Sequence, residues 1–451
     1  MTTAHFLPRP TSAPTRRALL ARCAGLTAVL ARGGAVLAGH AVAGAVRGDF
    51  TDRRERWLVD LTTRLGPAFV KAAQLLATRV DVLPPRLCTA LGRLHDRVRP
   101  EPAPVDPRPF EALGIHLHRD ADGLARPVAA GSIACVHRAT GPDGEQLAVK
   151  IQRPRVAERL TVDLELMRRA TRLAARLPHL RDLPATDIVD QLTWAIHGQL
   201  DTAREAANLR EIRTNLAEEP AVHVPRVHPE LGGDRALVME YVEDLRRLAP
   251  EELTPAQRTR AVRATLHAVY RMLFLDGLVH CDLHPGNLYF RPGGDVVLVD
   301  VGFTVRLDDR TRRAFARFFF QMSQGDGERC ARTVLSTATP GPLADTDGFL
   351  RDLAALVHAN SKARAADFDL VSFAAALFDI QRRHGLYAAP EFVFPLLSLL
   401  VLEGTVRAFA PDVDFQAEAG PYLMRALFGA TYTPAPEPEP APEPVEARPA
   451  G

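Results

Sequence analysis

The stretch His280-Cys281-Asp282-Leu283-His284-Pro285-Gly286-Asn287 restricts this chain more than any other. It sets a carboxylate and a neutral amide five residues apart in a loop of polar and turn-forming residues. Pro285-Gly286 can bend such a loop until Asp282 and Asn287 face one cleft. Thirteen residues after Asn287, the apolar run Val296–Val301 carries Asp300 and closes on Gly302. A carboxylate at the end of a buried strand offers hard oxygen to a divalent cation. Each feature read alone is an ordinary turn. Their order and spacing together have the form of a phosphoryl-transfer site.

That chemistry needs few parts: small residues near the phosphates, a lysine held by a carboxylate, two metal ligands and an orienting carboxylate. Every part has a candidate here. Ala129, Ala130, Gly131 and Ser132 form a small-residue loop before a strand, and Lys150 follows on the next strand in Ala148-Val149-Lys150. Glu205 stands on a predicted helix and is the carboxylate to hold it. Asn287 and Asp300 are the metal ligands and Asp282 the base or orienting group. Only three of the 56 basic residues are lysine: Lys71, Lys150 and Lys362. Where arginine is the default cation, a retained lysine points to a need for a compact ammonium. The bland alternatives are a snorkelling lysine at a strand edge and an exposed helix carboxylate.

Residues 1–50 form a basic arm with six arginines and no carboxylate before Asp49. Residues 51–118 read as helices with a break at Arg99-Pro100-Glu101-Pro102, and 119–243 alternate strands and helices. Residues 244–430 are mainly helical, and 431–451 are a Pro/Glu-rich tail expected to stay extended and solvated. Within the mixed region, Ser132–Thr140 and Gln146–Gln152 predict a hairpin about Gly141-Pro142-Asp143-Gly144. Helices are predicted over Val156–Leu177, Ile188–Leu216 and Thr254–Leu275, with strands over Ala236–Val242 and Val296–Val301. A formal net charge of +2 gives no support to a nucleic-acid partner. Five cysteines with no CxxC pair argue against a disulfide framework or zinc site and for a reducing, cytoplasmic setting. Gly33–Val46 is apolar but short, and Arg22 and Arg32 interrupt any longer window, so the arm is expected to be flexible and to lead into a small-residue helix. A basic segment lying on a membrane surface is the alternative. Phe392–Val401 is too short to span and is expected to be a core helix, which leaves peripheral membrane contact as the form any association would take.

The chain resembles the UbiB (AarF-type) family of atypical protein-kinase-like proteins over roughly residues 60–410. HxDxHPGN at His280–Asn287 is the most specific element. Leu65–Pro84, Pro127–Ala139, Ala148–Pro154, Leu200–Asn208 and Met239–Val242 complete the match. The resemblance implies an α+β, two-lobed kinase-like fold: a small N-lobe, a helical C-lobe and a family-specific N-terminal helical extension. It implies ATP and Mg²⁺ as ligands, with Glu240 and Val242 offering backbone groups to adenine. It also implies that the segment around Lys71 and Gln74 lies over the active site and limits access. Here the family's Lys-x-Gly-Gln reads Lys71-Ala72-Ala73-Gln74, and its Glu-x-Asp reads Gln199-Leu200-Asp201. Those changes bear on regulation through Lys71, Gln74 and Asp201.

The resemblance implies an ATPase or phosphotransferase serving quinone or isoprenoid-lipid metabolism, with lipid or quinone-pathway proteins as partners. A nucleotide-binding pseudokinase scaffold with little turnover is the second reading. It is motivated by the altered Lys71 and Gln199 segments and by the lack of an Ala-Pro-Glu signature after Asp300. General protein-kinase activity is disfavoured by the missing substrate-docking segment.

Overall fold

Apolar alternation on either side of Gly141–Gly144 folds into a hairpin, and the N-lobe grows around it. In the computed structural model, residues 14–47, 50–77, 85–92, 94, 105–120, 122–176, 185–284, 286–341, 343–360 and 369–429 are described. The Pro/Glu tail, the first thirteen residues, Thr78–Pro84, the Arg99–Pro102 break and Pro285 lie outside the described residues.

Four helices come first: α1 (Arg16–Arg47), α2 (Phe50–Leu65), α3 (Pro67–Ala77) and α4 (Pro85–Gly92). The expectation of a flexible arm is corrected here. Helix α1 is continuous over 32 residues and packs on α2, with the Trp57 indole N–H donating to Gly33 O at 2.7 Å. Contrary to expectation, Arg22 and Arg32 do not keep the apolar window short. By length and composition alone, Arg16–Leu37 is long and apolar enough to cross a membrane, and so is Glu391–Phe409. Ala73, where the family has glycine, is buried inside the regular helix α3 and outside the left-handed region, so its methyl group strains nothing.

Strands β1 (His116–Leu117), β2 (Ala129–Ala130), β3 (Ala134–Thr140) and β4 (Gln146–Gln152) lead into helices α5 (Val156–Ala174), α6 (Ala185–Gly198) and α7 (Thr202–Asn215). The helix predicted over Ile188–Leu216 is thus two. The break falls at Gln199–Asp201 because Asp201 turns to an extended conformation and its carboxylate accepts the Arg204 N–H at 2.9 Å, the geometry of an N-cap. The short β5 (Val222–His223) precedes β6 (Ala236–Glu240). The N-lobe sheet runs β1-β3-β4-β6, antiparallel throughout, with β2 also paired to β3. Strand β4 is central, and Lys150 sits between Val136 of β3 and Leu237 of β6.

Helix α8 (Pro255–Tyr270) opens with a capping box of Thr254 and Gln257 and continues as a π-helical turn, Arg271–Asp276. Gly277, at φ 74°, ends the turn in the left-handed region and sends the chain into β7 (Leu278–His280). Strands β8 (Leu288–Phe290) and β9 (Val296–Leu298) form a hairpin, β5 joins β9 in parallel, and β10 (Thr304–Arg306) pairs back on β7. The rest is mostly helical: α9 (Asp309–Ser323), α10 (Gly327–Leu335), α11 (Thr346–Asn360), α12 (Leu370–Arg383), α13 (Pro390–Phe409) and α14 (Phe415–Phe428). A short antiparallel pair of strands, β11 (Ala338–Pro340) and β12 (Leu386–Ala388), joins them. As expected of a core helix, α13 buries Phe392, Phe394, Leu399 and Leu402, and its Ser398 hydroxyl donates to His280 O at 2.9 Å.

The entry into β7 depends on Gly277. Gly277→Ala is expected to lower the unfolding free energy by about 1–2 kcal/mol, the strain of a Cβ in the left-handed region. Urea denaturation measures it, and an unchanged midpoint would show that the turn relaxes freely.

Candidate active site

Lys150 projects from the middle of β4 into the space between the sheet and the inserted helices. An ammonium taken from water needs opposite charge close by. Two carboxylates supply it: Glu205 Oε1 at 2.7 Å and Asp300 Oδ2 at 2.8 Å. Glu205 stands in the first turn of α7, and the Asp201 cap that starts this helix thereby determines where the carboxylate points. Glu205 is 2% exposed, while the Asp300 side chain keeps 42% of its surface open to the cleft.

The charges within this triangle are uneven. Burial opposes charge on Lys150, but Asp300 and Glu205 outweigh it and hold the ammonium above its ordinary range. Asp300 is held well below the usual carboxylate range, because Lys150 and the Gly302 N–H outweigh the cost of its partial burial. Glu205 goes the other way. Burial drives its carboxyl up to about 7 although Lys150 opposes the rise. Gly302 keeps the corner tight: its N–H donates to Asp300 Oδ1 at 3.0 Å, and a Cβ there would lie 3.1 Å from the same oxygen.

The loop after β7 is closed by its own hydrogen bonds. The Asp282 N–H donates to His280 Nδ1 at 3.1 Å, and Asn287 Nδ2 donates to Asp282 O at 2.9 Å. His280 is fully buried, which lowers its pKa and favours the neutral ring. Two backbone bonds tie this loop to the Asp300 segment: Val299 N–H to Asn287 O and Cys281 N–H to Phe303 O, both 3.0 Å. Asp282, Asn287 and Asp300 are therefore carried by one hydrogen-bonded block. With Asn287 Nδ2 engaged, its Oδ1 is the atom left for a cation. That oxygen and the Asp300 carboxylate are a hard donor pair that fits Mg²⁺, whose remaining positions go to water and phosphate.

The other predicted residues fall into place unevenly. Ala129 and Ala130 are β2, paired to Val136 and Cys135, and the following Gly131 is held by its N–H to Ala134 O at 2.8 Å. Gly131 is not in the left-handed region, and a Cβ there would make only ordinary contact, so its backbone does not demand glycine. Ser132 lies at the tip of the same turn. Glu240 directs its carboxylate away from the sheet, to His223 Nε2 at 3.0 Å and the Arg226 N–H at 3.0 Å; these partners lower its pKa to about 2, with His223 the larger cause. The Val242 N–H makes no hydrogen bond among the described residues. Lys71 reaches the loop from α3, its Nζ 3.5 Å from Asp282 Oδ2, and its charge also lowers the pKa of Asp300. Gln74 does not reach the carboxylates and donates to Leu94 O at 3.3 Å. Asp201 is occupied as the α7 cap.

Sequence reasoning missed Arg22 and Asp163, which clamp α1 to α5. A signal was present. Val156, Leu160, Asp163 and Leu164 share the buried face of α5, and a carboxylate on such a face requires a partner.

Comparison with known proteins places these residues in a wider group. The ABC1 atypical kinase-like domain matches residues 124–334, a span that holds Lys150, Glu205, Asp282, Asn287 and Asp300 but not Lys71. An uncharacterized protein of Synechocystis sp. is 30% identical over 299 residues, 62% of this chain and 72% of that one. The probable protein kinase UbiB of Aeromonas hydrophila subsp. hydrophila is 29% identical over 369 residues, 80% of this chain and 68% of that one. The solved structure of the Rv3197–erythromycin complex from Mycobacterium tuberculosis aligns with a TM-score of 0.49 and 18% identity, covering 86% of this chain and 99% of that one.

The raised carboxyl of Glu205 has a stability consequence. Between the ordinary value of 4.5 and about 7 the folded state binds more protons than the unfolded state. Stability therefore falls as pH rises through that window. Glu205→Gln is expected to flatten this segment of the ligand-free stability curve, followed by urea midpoints from pH 4.5 to 8. Parallel curves for the two proteins would disprove the assignment.

Proposed function

This chain belongs to the ABC1 (UbiB-type) family of atypical kinase-like proteins, and from that premise we propose that it is a Mg²⁺-dependent, ATP-binding ATPase or phosphotransferase. The single observation that carries the reading is the part-buried Lys150 ammonium held at 2.7 and 2.8 Å between Glu205 and Asp300. A lone positive charge on an inner strand, pinned in place and facing an open carboxylate, suits a polyanion with its counter-ion better than it suits a structural bridge. Lys150 would meet the α/β-phosphates while Glu205 keeps it oriented. The turn from Ala129 to Ser132 would cover the phosphates, and the backbone of Glu240 and Val242 would receive adenine. Asn287 and Asp300 would hold the cation, which neutralises charge on the phosphates when bound. Asp282 would orient or deprotonate the acceptor.

The proposed setting is quinone or isoprenoid-lipid metabolism in the cytoplasm, with pathway proteins or lipid as partners. Peripheral membrane contact would run through the exposed side of α1, where Leu20, Leu30 and Val36 face solvent. One observation favours the second reading, a nucleotide-binding scaffold of low turnover. Lys71 places an ammonium beside Asp282, the carboxylate that must work on the acceptor.

Thermal shift and phosphate release, measured side by side with ATP and Mg²⁺, separate the two readings. The enzyme is expected to show both, each lost with EDTA. Asp300→Asn is expected to cut release by at least about 100-fold, the scale on which removing one transition-state charge partner acts. A shift without release favours the scaffold, equal release by Asp300→Asn defeats the catalytic assignment, and no shift at all defeats both.

A further inference from the structure

We propose that Arg22 is a positioning residue for the active site, acting through the α2–α3 corner to hold Lys71 against Asp282. The inference rests on the enzymatic reading above for its effect on turnover, though not for its geometry. The Arg22 guanidinium joins three elements at once. Its Nε donates to Asp163 Oδ1 at 2.6 Å and its Nη2 to Asp163 Oδ2 at 2.9 Å, a two-pronged pair with a carboxylate that is 1% exposed on α5. The same Nη2 also donates to Leu65 O, the last carbonyl of α2. That carbonyl is one of those a helix leaves unpaired at its C-terminus.

The corner itself is special. Gly66 turns α2 into α3 at φ 114°, and a Cβ there would lie 3.1 Å from Arg22 Nη2. Lys71 follows after little more than one turn of α3, so the corner determines where its ammonium arrives. Helix α3 sets Ala68, Ala72 and Leu75 into the main core, with Phe69 and Leu76 packed against it. The Lys71–Asp282 contact, at 3.5 Å, is longer than the 2.7–2.9 Å of a tight charge-assisted bond. A long contact is sensitive to small shifts of the helix that carries it, and Arg22 fixes the end from which α3 starts. Asp163 lies on the helix that follows the Lys150 strand, so the same guanidinium ties the position of Lys71 to the lobe that carries Lys150.

While Lys71 is held there, its charge competes for the Asp282 carboxylate. Loosening the clamp moves that charge away. Arg22→Gln and Asp163→Asn, made separately in the full chain, are each expected to raise hydrogen exchange across Pro67–Ala77 at least about threefold. Each should also raise kcat for ATP by a similar factor, as Asp282 loses its competing cation. Arg22→Lys, which cannot form the two-pronged pair, should fall between them and the wild type. In a Lys71→Met background the Arg22→Gln increment in kcat should vanish. Unchanged exchange in both variants, or a kcat increment that persists without Lys71, overturns the proposal. Raised exchange with no phosphate release in any variant leaves the clamp standing and removes the enzymatic reading instead.

Discussion

A part-buried ammonium shared by two carboxylates is the interaction on which this molecule is organised. Removing Lys150 from water is costly, and the pair formed with either carboxylate alone would not offset it well. With both, the charges balance only if β4, the first turn of α7 and the corner after β9 all converge within hydrogen-bonding reach. Two chain segments 55 and 150 residues from Lys150 in sequence are brought to it in this way. Breaking such a bridge by removing one partner typically costs about 3–5 kcal/mol, because the other charge is left stranded. The bridge is both a structural tie between lobes and the core of the site.

The same bridge governs what a nucleotide must do on arrival. Asp300 spends one oxygen on Lys150 and the other on the Gly302 N–H. A cation arriving with phosphate would compete for the first, while the phosphate compensates Lys150. Glu205 remains at 2% exposure and keeps the lysine directed into the cleft. The backbone bonds from Val299 to Asn287 and from Cys281 to Phe303 mean that Asp282 and Asn287 move with this corner. A shift at Asp300 would therefore be passed to Asp282 without a long relay.

Local signals carried much of this architecture. The hairpin of β3 and β4 followed from alternation about a Gly-Pro-Asp-Gly turn, and α8 starts directly after Thr254, where the predicted helix Thr254–Leu275 begins. The Asp282–Asn287 spacing and Asp300 marked residues that the fold does bring into one hydrogen-bonded block, because loops of that kind are shaped by their own turn residues and hydrogen bonds. The division of Ile188–Leu216 into α6 and α7 was less legible. Helical periodicity continues across Gln199-Leu200-Asp201, and a capping aspartate inside an apparently continuous pattern is a weak signal. Gln74 and Asp201 read as partners of the site, yet the first ties α3 to Leu94 and the second caps α7. A short motif does not say which of its side chains point inward.

By itself the sequence determined the chemical inventory and its order: the lysine strand, the helix carboxylate, the loop with aspartate and asparagine, and the strand-ending aspartate. These are properties of residue type and of spacings under about fifteen residues, where local geometry dominates. Only the tertiary structure decided which charges meet. It settled that Lys150 takes both Glu205 and Asp300, that Lys71 lies against Asp282, and that Arg22 clamps the basic N-terminal helix onto Asp163. Ion pairs between residues 141 or 211 positions apart leave no local trace. They are selected by packing, because a charge buried by its neighbours has to find a partner wherever the fold brings one.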